Sequence, residues 1–314
     1  MSVQTRNTLL LVLAAAIWGT AFAVQSTGEG IGPFTFLAGR GWLAVLFLLG
    51  LNAVMDAQAR RRGEEAGWPT EKQEKKTLWL GGFWCGTVTF IYFVSQRIGV
   101  VISASPSKAI FINAMYVLFV PLLGLLLGRR PPHKIWASVA LSAVGMYLLC
   151  LQSGLEGLTA GDLVMVGGAV LFAVQILTVN HWAPRIRGGV KLSLLTWTVL
   201  ACWSTVLMVV LEQPTLAVIW DNLGTMAYCG ILSSGVAFTL QIVGQKNLNP
   251  AIASLALSLE SVFCTLFSWL FLNDRLSPAE LAGCALMFCA VLLAQLPVEQ
   301  WLHKKAPVHS GPKA

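Results

Sequence analysis

Apolar runs long enough to cross a lipid bilayer follow one another along the chain, separated by short charged gaps. Eight stretches of at least 18 residues contain no charged side chain: 7–28, 77–96, 109–128, 135–155, 163–184, 192–211, 222–245 and 281–298. A charge at the bilayer centre costs roughly 2.5–3.5 kcal/mol on insertion scales, so unbroken apolar length is the primary sign of a spanning helix. Two more stretches, 32–54 and 249–272, reach spanning length by keeping one charge each, Arg40 and Glu260. Lys108 sits near the start of the fourth span. The expected fold is an all-α membrane protein with ten transmembrane helices. The first run continues for 22 residues, beyond the roughly 7–15 of a signal-peptide core, and is retained as helix one.

Composition narrows the function classes. Of 314 residues, 56% are hydrophobic and 11% charged, against about 25% charged in a soluble domain, which leaves no room for a large soluble domain. No GxxxxGK[ST] phosphate loop is present, so this chain does not drive transport by hydrolysing ATP itself. The net charge of +7 comes from bases in the gaps between spans, which argues against a nucleic-acid partner. The seven cysteines fall within apolar segments without CxxC spacing, and the four histidines are dispersed. Neither set suggests a metal site, and no cofactor is expected.

With the N-terminus placed in the cytoplasm, seventeen of the twenty-one Lys and Arg residues fall in cytoplasmic segments. Only Arg97 and Arg275 fall outside, with Arg40 and Lys108 inside helices. This bias follows the positive-inside rule and puts both termini in the cytoplasm of a plasma-membrane protein. The basic loops set orientation and touch anionic headgroups. The charged 55–76 segment is the longest connection and is expected to be a solvated linker.

A shift of 145 residues lays helices four and five over helices nine and ten, matching Val117 with Val262, Leu125 with Leu270, Arg130 with Arg275 and Ala137 with Ala282. Pro106 and Pro250 open the corresponding helices one position apart. A repeat of five spans is odd, so the second copy enters the membrane from the opposite side, an architecture common among secondary transporters. The expected units are residues 1–151, 152–298 and a cytoplasmic basic tail, 299–314. Ser277, Pro278 and Glu280 form a capping pattern for helix ten, and Asn249 with Pro250 does the same for helix nine. Pro121 favours a kink in helix four, for packing or gating. Gly82 and Gly86 are spaced as GxxxG and suit close helix approach.

Glu260 lies eleven residues into helix nine, ~16 Å deep at 1.5 Å per residue. A carboxylate there must pair, protonate or face water. It is either a proton-coupling or solute-binding acid, or a strut paired with Arg40 or Lys108. Polar and aromatic residues that could line a cavity with it are Trp18, Thr20, Gln25, Tyr92, Gln96, Asn113, Tyr116, Gln175, Gln241, Ser258 and Trp269. Such a mostly apolar site with a few orienting polar groups suits small amphipathic ligands.

The residues Trp18-Gly19-Thr20-Ala21-Phe22, Arg40, Ala109 through Pro121 to Pro131, Gln241 to Lys246, Asn249 to Ser254 and Leu259-Glu260-Ser261-Val262-Phe263 together resemble the EamA-like branch of the drug/metabolite transporter superfamily. The last run departs from the family pattern in carrying Ser261 where proline is usual, which bears on the kink of helix nine. The resemblance implies two five-helix repeats and a secondary transporter, often an exporter, of small metabolites such as amino acids, nucleosides or related amphipathic solutes. Proton coupling occurs among relatives. A membrane sensor or lipid-handling scaffold on the same fold is the alternative; an intramembrane enzyme lacks any GxSxG, HExxH or histidine cluster.

Overall fold

The computed structural model describes residues 3–25, 30–64, 67–102, 112–129, 131–150, 160–272 and 277–295. Among them there is no strand, and ten helical rods run back and forth: α1 (Val3–Gln25), α2 (Pro33–Arg61), α3 (Lys72–Ile102), α4 (Tyr116–Leu126), α5 (His133–Cys150), α6 (Ala160–Trp182), α7 (Gly189–Glu212), α8 (Leu223–Gln245), α9 (Pro250–Leu272) and α10 (Pro278–Gln295). Seven of these, α2, α3 and α6 to α10, hold segments long and apolar enough to cross a membrane, and Ile112–Leu126 forms a shorter apolar helix. A bilayer core offers no water to stray backbone groups, so a helical bundle is the form that this hydropathy pattern can take. Lys108, the Arg130 and Arg275 match, Pro106 and the 299–314 tail lie outside the described residues.

Contacts between helix ends fix the direction of each rod. At one end Gln4 meets Gln295, Lys191 pairs with Asp56 at 3.0 Å, Glu74 with Arg187 at 3.7 Å, and Arg129 donates to Asn180 at 2.8 Å. This basic end gathers the start of α1 and the end of α10. At the far end Arg97 donates to the Gln25 carbonyl, and Glu212 caps α2. The start of α1 is therefore at the basic end and the start of α6 at the far end, so the two sets of five helices are inverted. Their packing shows the same relation: α1 lies on α9 as α6 lies on α4, α3 on α6 as α8 on α1, and α3 on α7 as α8 on α2, while α2–α7 and α5–α10 are self-related pairs.

Local chemistry sets the helix ends. Pro33 follows Gly32 at the start of α2, and the Phe34 and Thr35 amides donate to the two Glu212 carboxylate oxygens at 2.8 and 2.7 Å. A Cβ on Gly32 would lie 2.3 Å from that carboxyl carbon, so glycine makes room for the anion at the positive helix end. The Ser277–Glu280 capping box forms in both directions, at 2.7 and 3.2 Å, and Asn249 accepts the Ala251 amide at 2.9 Å. Gly82 and Gly86 serve the α3–α7 crossing: a Cβ would sit 2.5 Å from Leu195 Cβ at the first and 2.6 Å from Val199 Cβ at the second.

Two expectations about boundaries change. The helix α2 runs on to Arg61 and α3 starts at Lys72, so most of the 55–76 linker is helix. Arg97 is not in a loop but within α3 and 7% exposed, because the Gln25 carbonyl accepts from it at 3.1 Å and its guanidinium lies 4.8 Å over the Phe36 ring. The helix α9 is continuous through Ser261, the position where the family pattern has proline.

Gly19 carries the close crossing of α1 on α9. A Cβ there would lie 2.7 Å from Cys264 N, 2.8 Å from Phe263 Cβ and 2.9 Å from Glu260 O, two of which are backbone atoms of α9 that cannot turn aside. Gly19→Ala is expected to cost about 1–3 kcal/mol by overpacking, read as a lower melting temperature in detergent, whereas Gly50→Ala, with open space around it, is expected to change little.

Candidate functional site

Between the repeats, from mid-depth toward the far end, lies a narrow cavity lined by Trp18, Ala21 and Gln25 of α1, Tyr92, Phe93 and Gln96 of α3, Phe172 of α6, Ser233 and Phe238 of α8, and Glu260 of α9. Its free space is about 30 Å³, enough for a few waters. A metabolite-sized solute would require the helices to part.

A line of polar side chains crosses from α3 to α9. Gln96 Nε2 donates to Tyr92 OH at 2.8 Å, Tyr92 OH to Asn113 Oδ1 at 3.4 Å, and Asn113 Nδ2 to Glu260 Oε1 at 3.4 Å. Four residues singled out in the sequence thus form one connected path. Among the described residues Glu260 has no basic partner, and its hydrogen-bond neighbour is a neutral amide. Tyr116 is fully buried, its hydroxyl without a hydrogen-bond partner among the described residues, and its ring meets Phe172 edge-on at 4.6 Å. Phe172 also stacks on Tyr92 at 4.4 Å and meets Trp18 at 6.0 Å, so it is the aromatic hub of the cavity wall.

Arg40 lies behind the opposite wall. It is fully buried, with Nε and Nη2 donating to Ser234 Oγ at 3.0 and 2.9 Å, Nη2 to Ser233 Oγ at 3.2 Å and Nη1 to Gln25 Oε1 at 3.3 Å. The guanidinium lies 4.6 Å over Phe93 and 5.4 Å over Trp197, cation–π contacts that partly replace water. The alternative in which Glu260 is a strut paired with Arg40 is therefore corrected. The Arg40 donors go to two serines and a glutamine because α2 presents it to α8, whereas Glu260 accepts from Asn113 in the helical stretch 112–114.

The serines come from an unusual backbone. Residues Cys229–Ala237 of α8 are wound as a π-helix, a form frequent at functional sites. The Ser233 carbonyl accepts Trp18 Nε1 at 3.1 Å, and Thr20 and Tyr228 share a hydroxyl contact at 2.5 Å. A Cβ on Gly230 would lie 2.7 Å from Arg40 O, so that glycine lets α8 reach α2 beside the arginine.

Four residues expected to line the cavity fall elsewhere. Gln175 and Gln241 bond to each other, at 3.1 and 3.4 Å, and are absent from the cavity lining because each satisfies the other's amide. Ser258 donates to its own helix at Leu255 O, and Trp269 is half exposed on the outer surface of the bundle. Conversely, Phe93, Phe172, Ser233, Ser234 and Phe238 enter the site without having been singled out. The Gly230-Ile-Leu-Ser-Ser-Gly235 run, small and polar within a span, is the signal that marks the serines; the phenylalanines carry none.

The sequence profile of the EamA-like transporter family matches residues 6–151 and again 159–296, one copy for each inverted half. An uncharacterized transporter of Archaeoglobus fulgidus is 28% identical over 297 residues, covering 92% of this chain and 85% of that protein. A crystal structure at 20% identity superposes with a TM-score of 0.69, covering 93% of this chain and 98% of that one, and shares the fold.

Proposed function

The chain belongs to the EamA-like transporter family, and on that premise we propose that this membrane transporter is a secondary exporter of small amphipathic metabolites, working by alternating access across the plasma membrane. The observation that carries the reading is the cavity at the interface of two inverted repeats, aromatic on its walls, with the Glu260 carboxylate facing it and the Arg40 guanidinium behind it. Inverted halves can exchange conformations, so one packing opens the site to either face in turn. Glu260 is the coupling group in this reading: a mid-depth acid whose hydrogen-bond neighbour is a neutral amide can take up and release a proton as its exposure changes. The apolar lining favours solutes with an aromatic or aliphatic body, such as certain amino acids or nucleosides. The concentration of bases at one end supports placing that end, and both termini, in the cytoplasm.

The test is a metabolite-wide comparison of spent medium from cells overproducing the protein and cells lacking it. A compound that accumulates outside with overproduction is the expected result and identifies the cargo. Identical media, together with no flux of candidate amino acids or nucleosides in reconstituted vesicles, would overturn the export reading.

A further inference from the structure

From mid-depth toward the basic end runs a second polar tract. Gln175 of α6 and Gln241 of α8 exchange amide hydrogen bonds and are both fully buried. One turn further along α8, Gln245 is also fully buried, and among the described residues neither its Oε1 nor its Nε2 has a hydrogen-bond partner. Asn7 of α1 donates to Lys246 O at 2.8 Å, while its own Oδ1 is buried without a hydrogen-bond partner among the described residues. A buried polar group left unsatisfied costs about 1–3 kcal/mol, and here three such atoms belong to two neighbouring amides. Packing alone gives no reason to keep them where leucine would fill the space.

The repeat relation supplies the reason. Gln96-Arg97 in α3 and Gln245-Lys246, which closes α8, are alike, a glutamine followed by a base toward the end of the third helix of each half. The two bases make equivalent contacts. Arg97 donates to the carbonyl of Gln25 at the end of α1, and Lys246 donates at 3.5 Å to the carbonyl of Ile186 just beyond α6. By these contacts Gln245 takes the place of Gln96, four residues beyond the 145-residue register that relates helices four and five to nine and ten, and Gln241 takes that of Tyr92. In this conformation Gln96 and Tyr92 line the far-end cavity. Gln245 is shut away.

Resting on the transporter reading, we infer that the Gln175–Gln241 pair is the closed gate of the solute path on the basic side, and that Gln245 and Asn7 become walls of that path when the pair parts. Breaking the pair frees two amides at the mouth of the cavity, and the waiting Gln245 and Asn7 groups then meet water or solute. Neutral amides offer both donors and acceptors, so this half of the path suits the polar groups of a solute of either charge.

The test is thiol accessibility, which needs no knowledge of the solute. In the full-length chain with its seven native cysteines replaced, Gln245→Cys is exposed to a membrane-impermeant cationic methanethiosulfonate at the basic face of vesicles. Slow modification is expected, accelerated at least ~10-fold by adding Gln175→Ala with Gln241→Ala, because the gate's amide hydrogen bonds, worth about 1.4 kcal/mol, would be gone. Ser138→Cys, buried in α5 away from the tract, should stay inert in both backgrounds. An inert Gln245→Cys, an unchanged rate, or equal acceleration at Ser138→Cys overturns the gate. Because the readout is independent of flux, its failure is separable from failure of the export reading, which the spent-medium comparison decides.

Discussion

Vesicles carrying Glu260→Gln are expected to lose the response of solute flux to an imposed pH gradient, while the protein still folds. The substitution preserves the length of the side chain and an oxygen that can accept from Asn113 Nδ2, so the Gln96–Tyr92–Asn113 line can remain in place. What disappears is the ability to ionise. A hydrogen bond to a charged group is worth about 1.5–3 kcal/mol, which corresponds to roughly 10- to 100-fold in rate if it is made while the solute crosses. The fold itself gains from the exchange, since a carboxylate at mid-depth is held without a basic partner among the described residues. Glu260→Asp tests position separately: it keeps the acid but withdraws it by one methylene from Asn113, and should retain the pH response at reduced flux. A Glu260→Gln protein whose flux still follows the pH gradient would remove this acid from the coupling step.

The parts of this architecture legible in the sequence are those decided by short stretches of chain. Span number follows from apolar length, and the capping box at Ser277 and Glu280 forms as its spacing predicts because all its partners lie within one turn. Glu260, Tyr92, Gln96 and Trp18 stand out as residues that lipid does not tolerate or that favour its boundaries, and the structure places all four on one cavity. Depth along a helix says nothing about which way a side chain faces around it. That is why depth alone offers Arg40 as one partner for Glu260, whereas the two face different helices. Phe172 is hidden for a different cause: in an apolar span an aromatic ring at a cavity wall has the same chemistry as one in plain packing. The π-helix at Cys229–Ala237 is a departure in winding that no single residue announces, although its small and polar composition permits it. A base ordinarily marks the end of a span, whereas Arg97 lies inside the bundle because a backbone carbonyl and an aromatic ring together accommodate it.

Arg40→Met is expected to leave the melting temperature in detergent unchanged or higher, and to reduce flux at least ~10-fold. The guanidinium is fully buried and, among the described residues, no carboxylate comes within ion-pair distance. Desolvating such a cation is costly, and replacing buried ions with apolar residues of similar volume is often neutral or stabilising by about 1–4 kcal/mol. Methionine is long and flexible enough to fill the space between Phe93 and Trp197. The hydroxyls of Ser233 and Ser234, released from the arginine, can turn back to carbonyls of their own helix. Little structural loss is therefore left to explain a loss of flux. The functional cost falls on Gln25, which the Nη1 group holds at the cavity wall, and on the positive potential that a buried guanidinium projects toward a solute. Arg40→Lys separates these two contributions: it retains the charge, but its compact ammonium cannot reproduce the guanidinium fork that reaches Ser233, Ser234 and Gln25 together. Recovery of flux in Arg40→Lys points to potential, and its absence to the positioning of Gln25. Unfolding of Arg40→Met at a distinctly lower temperature would instead make the guanidinium a strut between α2 and α8, and would remove it from the transport machinery.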